Sequence, residues 1–335
     1  MQSDQSRQNS LVITASVLVG LSVLVVATRL VIRLGVIRNA GWDDYTIGVA
    51  LIFAIGYLAE ILVGAANRMG FPMADLTMEN KVIFFKATLA IEVTYYSAVA
   101  FVKLSLLCMF LRFIISRRLR MICYVTIGVH IVFYIVCVSV TLGQCRPFNK
   151  FWDATFTAPG SCINGTAFFY FTSSFNIVTD FWILGLPIKT LNGISRPRNE
   201  KLTLIAIFGV GLFATITSII RLRTIYTYTL STDPFRDSIT INLWSIIEIN
   251  VGIMCASVPA LKPLFTPSKL RQVTRGTKQS AGYRFHSSER SGVEQRTKSD
   301  EQLCAPYELS ETSRSAAAKS SSEVEYPPTR VGPSR

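Results

Sequence analysis

Charged and polar side chains inside otherwise apolar stretches are the residues best placed to do chemistry in this chain. Glu92, Tyr96, Val99 and Lys103 follow one another at spacings of 4, 3 and 4, so they share one helix face. Ser173, Asn176 and Asp180 form a second such face, and Ser245, Glu248, Gly252 and Cys255 a third. Glu60 and Arg221 add one carboxyl and one guanidinium in two further apolar runs. Charge is costly in hydrocarbon, so these faces point to a shared interior. Three chemistries fit them. One is interhelical pairing that fixes the bundle. A second is a pocket for a ligand or substrate, and the third is proton or ion transfer. An intramembrane enzyme would use Glu60, Glu92, Asp180 or Glu248 as acid or base, which needs environments that set two carboxyls apart.

The elements that position these residues follow from composition. Of 335 residues, 50% are apolar and 16% charged, and the mean hydropathy is +0.38. Soluble domains carry about 25% charge, so a membrane protein is the first reading. Seven apolar runs, about 11–32, 45–66, 87–111, 121–143, 167–188, 202–220 and 239–261, approach or exceed the length a helix needs to span. Lipid leaves no free backbone group satisfied, and runs this long read as helices. The fold class is therefore an all-α membrane protein, a seven-transmembrane helix bundle. The first run continues into Arg29 and Arg33 with no small-residue cleavage site, so it reads as a retained span.

The net charge of +13 is spread over loops and tail, which argues against a nucleic-acid partner. Arg29, Arg33 and Arg38 follow the first span; Arg112, Arg117, Arg118 and Arg120 the third; Lys189, Arg196, Arg198 and Lys201 the fifth. Positive-inside bias then places the N-terminus outside and the C-terminus in the cytosol. Glu60, Glu92 and Arg221 fall in the outer half and Glu248 near the middle, where the four could meet around an outward-facing cavity. Lys103 and Asp180 fall in the inner half. Residues 1–10 read as a short extracellular segment, 11–265 as the membrane domain, and the Ser-rich 266–335 as a disordered cytosolic tail able to meet a signalling partner.

Two adjacent carboxylates, Asp43 and Asp44, stand in "GWDDYTIG" at the start of the second span. Trp42 suits an interface belt. Asp43 or Asp44 suits a helix cap and its dipole, with a cytosolic pairing to Arg112 or Arg118 as the other use. Cys145 and Cys162 share one outward loop, which suggests a disulfide. Asn164 opens an "NGT" glycosylation sequon beside the fifth span. His130 stands alone among apolar neighbours, and no Cys/His spacing suits a metal. Pro187 and Pro259 mark helix ends or kinks.

The seventh run, "LWSIIEINVGIMCASVPAL", holds no lysine for a retinal Schiff base; Lys262 lies just past it. No retinal or other cofactor is expected. The third span ends "MFLRF" rather than Asp/Glu-Arg-Tyr, and the seventh has no Asn-Pro-x-x-Tyr. In order, "GWDDYTIG", "FVKLSLLCMFLRF", "GQCRPFNKFW", "CINGTAFFYFTSSFNIVTDFWILGLPIKTL" and "LWSIIEINVGIMCASVPALKPLF" resemble the fungal rhodopsin-domain family of integral membrane proteins. The resemblance covers about 11–265. It implies seven helices in a plasma membrane or endomembrane, with members that are receptor-like or that accompany secondary-metabolite gene clusters. Receptor-like members often carry an N-terminal cysteine-rich domain, which is not seen here and turns the reading away from host-surface sensing. The leading expectation is a receptor-like protein that binds a small molecule in the bundle or outer loops. The rival is an intramembrane acid/base enzyme or transporter.

Overall fold

The computed structural model describes residues 2–36, 40–114, 116–153, 155, 157–191 and 198–265. The expected disordered tail, 266–335, lies outside the described residues. Among the described residues seven helices follow in order: α1 Gln2–Leu30, α2 Trp42–Ala66, α3 Met78–Phe113, α4 Arg117–Leu142, α5 Gly165–Leu191, α6 Arg198–Thr229 and α7 Pro234–Ser257. A π-helical turn, Val31–Val36, extends α1, and 3-10 turns over Val258–Phe265 extend α7. Of these helices, α1, α2, α3, α4 and α7 are each long and apolar enough to cross a membrane over their described residues. The architecture is an all-α membrane bundle, with polar side chains buried beside an apolar core and many large apolar ones exposed on its outer face. Ile13, Val17 and Leu24 on α1 and Tyr124, Val125 and Val132 on α4 are all exposed, while Ser22, Ser105 and Asn250 are fully buried.

The main apolar core joins α1, α2, α3 and α7 through residues such as Leu11, Ile47, Tyr57, Ala98, Ile246 and Ile253. A smaller core joins α3, α4 and α5 around Leu107, Met109, Cys123 and Ile183. Small residues set the closest approaches. At Gly252 an added Cβ would sit 2.9 Å from Val102 Cγ1, so α3 and α7 can touch there only without a side chain.

Local chemistry fixes the helix ends. The Thr77 and Ser116 hydroxyls accept the amides of Asn80 and Leu119 at 3.3 Å, opening α3 and α4. Asn164 Oδ1 accepts the Ala167 amide at 3.1 Å and opens α5. Pro234 supplies the first turn of α7. Pro259 lies in the 3-10 turns just after α7, whereas α5 continues past Pro187 to Leu191.

Between α4 and α5, strands β1 Cys145–Arg146 and β2 Ser161–Cys162 pair antiparallel with the two cysteines opposite each other. The Cys145–Cys162 disulfide closes this loop. Inside it, Asp153 accepts the Thr155 hydroxyl and the Ala158 amide, which holds its carboxyl below the usual aspartate range.

Helices are longer than the apolar runs. α1 begins at Gln2 rather than near residue 11, α3 at Met78 rather than 87, and α6 ends at Thr229 rather than 220. Hydropathy measures cost in lipid, whereas polar turns persist where the fold gives them partners. Asp4 meets Arg236 at 2.9 Å, and the Gln8 amide donates to Ala65 O at 2.8 Å and Met69 O at 3.1 Å. The first turns of α1 are thus helical and packed onto the bundle.

Candidate functional site

Four charged side chains make a continuous layer across the middle of the bundle. Lys103 Nζ on α3 lies 2.8 Å from Asp180 Oδ1 on α5, and also donates to Thr179 Oγ1 at 2.7 Å and Asn176 O at 3.0 Å. Ser218 Oγ on α6 stands 2.9 Å from Asp180 Oδ2 and 2.8 Å from Glu248 Oε1 on α7. Glu248 Oε1 also accepts Asn176 Nδ2 at 2.6 Å, and its Oε2 accepts the Tyr95 hydroxyl at 3.1 Å. Arg221 Nε lies 2.7 Å from Glu248 Oε2 as an ion pair without an aligned hydrogen bond. Arg221 also donates to Ser173 at 3.2 Å and stacks its guanidinium 4.4 Å from the Tyr95 ring centroid.

Among the described residues, two cavities flank the layer. Toward the disulfide end, about 70 Å³ is lined by Tyr57, Glu92, Tyr95, Tyr228, Asn242 and Ser245, with Arg221 forming part of the floor. Toward the Asp43 end, about 60 Å³ is bounded by Lys103, Asp180, Ser218 and Glu248 above and by Phe110, Gly211 and Cys255 below. A third space of about 30 Å³ lies to the α4 side, where His130, Tyr96 and Asn176 meet. A space of this kind needs about 10–15 Å³ to take one water, so each of the three has room for water.

Glu92 Oε2 is buried in this setting without a hydrogen-bond partner among the described residues. Glu60 stands apart: its Oε1 accepts Thr94 at 2.7 Å between α2 and α3, and it borders neither of the two flanking cavities. Of the four residues expected to meet around an outward-facing cavity, Glu92 and Arg221 border the one toward the disulfide end, Glu248 pairs with Arg221 but borders the other cavity, and Glu60 borders neither. Tyr96 donates to or accepts from Thr172 at 3.3 Å, linking α3 to α5. His130 is a buried histidine on Thr126 O at 2.8 Å. No group of His, Cys, Asp and Glu fit for a metal occurs among the described residues.

A second charged cluster closes the Asp43 end. Gly41, not an aspartate, occupies the cap position of α2, and Asp44 reaches back to the Gly41 amide at 3.1 Å. Trp42 beside them is exposed. Both aspartates are buried and bind Arg29 of α1, Asp43 at 2.7 Å and Asp44 at 2.9 Å. Arg112 of α3 meets Asp43 at 2.8 Å, and Arg29 also donates to Ala256 O at the end of α7. The capping expectation captures one of several contacts, because the pair is turned into the bundle rather than toward water.

The Fungal rhodopsin domain matches residues 28–267, which hold both charged clusters and both cavities. The chain belongs to this family. Within it, the chain is 30% identical over 235 residues to an SAT4 family membrane protein of Emericella nidulans, covering 69% of this chain and 56% of that protein. It is 26% identical to the Polyenoic acids biosynthesis gene cluster protein Ba17b of Metarhizium anisopliae, over 73% of this chain and 70% of the relative. A Receptor GIN3 of Arthrobotrys oligospora is 24% identical over 57% of this chain and 46% of its own. No solved structure matches the chain.

In this member of the fungal rhodopsin-domain family, several site residues escape the sequence reading. Arg29 reads as a loop charge because it ends an apolar run. Ser218 stands three residues before Arg221 and shares its face. Extending the α7 face backward from Ser245 reaches Asn242 and Ser238, and Asn242 accepts the Tyr57 hydroxyl at 2.8 Å. Asn250, on another side of α7, accepts Ser22 of α1 at 2.6 Å and has no neighbour in sequence that flags it.

Proposed function

We propose that this fungal rhodopsin-domain protein is a receptor-like membrane protein whose small-molecule site is the cavity at the disulfide end. The Lys/Arg bias puts that end outside the cytosol and the Asp43 end within it. The observation that carries the reading is Glu92: a carboxyl with an unpartnered buried oxygen on a cavity that also borders Arg221 and several tyrosines. Unpaired buried polar atoms are costly, and a ligand that pairs with one gains what the empty site lacks. Ligand pockets for drug-sized molecules run to about 300–1,000 Å³. The cavity holds about 70 Å³, so a larger ligand has to part α3, α6 and α7. Such parting gives bound and empty states different helix spacing, and differential affinity between states is what a receptor needs. A receptor among the relatives supports the same reading.

A second reading, an intramembrane acid/base enzyme or a transporter, draws on cavities lying on both sides of one charged layer. A relative named for a polyenoic acids biosynthesis gene cluster fits it as well.

The test uses purified protein in lipid nanodiscs and a defined panel of small amines, amino alcohols and carboxylic acids. At least one compound raises the melting temperature of the wild type, and Ser245→Phe, which fills the cavity, removes that shift. Equal shifts in both proteins would place binding elsewhere and defeat the proposal.

A further inference from the structure

Ser218 in the charged layer faces more acceptors than it has hydrogens. Ser218 Oγ carries one proton, yet it faces Asp180 Oδ2 at 2.9 Å and Glu248 Oε1 at 2.8 Å. Its own helix offers a third acceptor, Ala214 O, at 3.2 Å. With both carboxyls ionised, one of the two short contacts brings lone pairs together with no hydrogen between them. Both contacts become hydrogen bonds only when one carboxyl supplies a second proton. We propose that Asp180, Ser218 and Glu248 form a proton-binding site, loaded from the cavity on the Asp43 side.

Donor counts say where the proton rests. Glu248 already receives Asn176 and Tyr95 and is paired with Arg221. Asp180 Oδ1 is paired with Lys103, whereas its Oδ2 meets only Ser218 among the described residues. The loaded arrangement runs from Asp180 Oδ2–H to Ser218 Oγ, and from Ser218 Oγ–H to Glu248 Oε1. Transfer along it breaks the O–H bond of Asp180 and forms one on Glu248, while Ser218 passes on its own proton and takes the incoming one. The hydroxyl is unchanged at the end, and the charge moves from one carboxyl to the other.

Two opposed effects act on the loaded site. Loading adds a hydrogen bond between close oxygens. It also leaves Lys103 and Arg221 facing one remaining carboxylate, a net positive layer in a setting that penalises charge. The groups facing the site are Lys103 and Tyr95 from α3, Arg221 from α6, Tyr57 from α2 and, beyond Asn176, His130 from α4. From α5 come the neutral Asn176 and Thr179, and α7 adds Cys255 at the cavity. All three oxygen-bearing side chains border the 60 Å³ space toward the Asp43 end, which has room for the waters that would deliver a proton.

Infrared difference spectroscopy of the protein in nanodiscs tests the site. Wild type minus Asp180→Asn is expected to show one protonated-carboxyl stretch that shifts in heavy water and disappears as pH rises. Ser218→Ala, which leaves both ion pairs in place, is expected to lose that stretch, and Ser218→Thr, which keeps the hydroxyl, to retain it. Melting temperatures taken alongside identify any variant that fails to fold. A purely structural network changes the melting temperatures without moving the band. No Asp180-dependent band in the wild type, or a band unaltered in Ser218→Ala, would overturn the proposal.

Discussion

Arg29 is the most demanding single residue in the bundle. It is fully buried, and three of its nitrogens serve Asp43, Asp44 and the Ala256 carbonyl. Removing one partner of a buried pair leaves the other charge uncompensated, at a cost of about 3–5 kcal/mol. Arg29→Ala is expected to lose stability of that order in thermal unfolding of the detergent-solubilised protein. Arg29→Lys is not expected to restore it, since one ammonium cannot reproduce a planar fork aimed at two carboxylates. Arg112→Ala is expected to cost less, because the Arg112 side chain is 26% exposed and its removal leaves Asp43 with Arg29. Equal losses for Arg29→Ala and Arg112→Ala would show that the two arginines share the load evenly.

At the scale of single helices, periodicity makes part of the site legible in the sequence. Spacing alone puts Lys103 with Glu92, and Asn176 with Asp180, on common faces, and those faces turn inward. Spacing does not say how a helix is rotated against its neighbours. Nothing in the sequence distinguishes Glu248 from Glu60 as the partner of Arg221; the packing of α6 against α7 decides it. Asp43 and Asp44 are only partly legible for a related reason: a helix cap and a pairing with Arg112 can both be read from the sequence, but nothing local points to Arg29 of α1 as the buried partner of both. The approach of α3 and α7 at Gly252 is equally hidden. Gly252→Val would force its side chain against the stiff, β-branched Val102, and overpacking of this sort costs about 1–3 kcal/mol. A lowered melting temperature for Gly252→Val, relieved by the added substitution Val102→Ala, is the expected result. A loss that Val102→Ala leaves unchanged would place the cause in the helix itself.

Across the whole molecule, the architecture is readable because seven apolar runs give seven helices, while their true lengths are not. Polar first turns of α1 and α3 look like loops to a hydropathy window, yet contacts such as Asp4 with Arg236 keep them folded. Orientation rests on the arginine and lysine bias, and the disulfide loop offers a direct check. After mild reduction of intact cells, a membrane-impermeant thiol reagent is expected to label Cys145 and Cys162, with a Cys145→Ser/Cys162→Ser variant as the blank. Labelling that appears only after the cells are broken would reverse the bundle in the membrane and move the Glu92 cavity to the cytosolic side.

The contacts of Arg29 also impose a timetable on synthesis. Its carboxylate partners lie 14 and 15 residues later in the chain, but the Ala256 carbonyl lies 227 residues later. Ribosomes add roughly 5–20 residues per second. The charge of Arg29 therefore meets its counter-charges within about 1–3 s of emerging, whereas its last hydrogen bond waits roughly 11–45 s for the final helix. During that interval the first two helices are held together by charge while one arm of the guanidinium is still unmatched. A nascent chain that stops before α7 carries that unmatched arm permanently, which gives the cell a chemical difference between a finished bundle and an interrupted one.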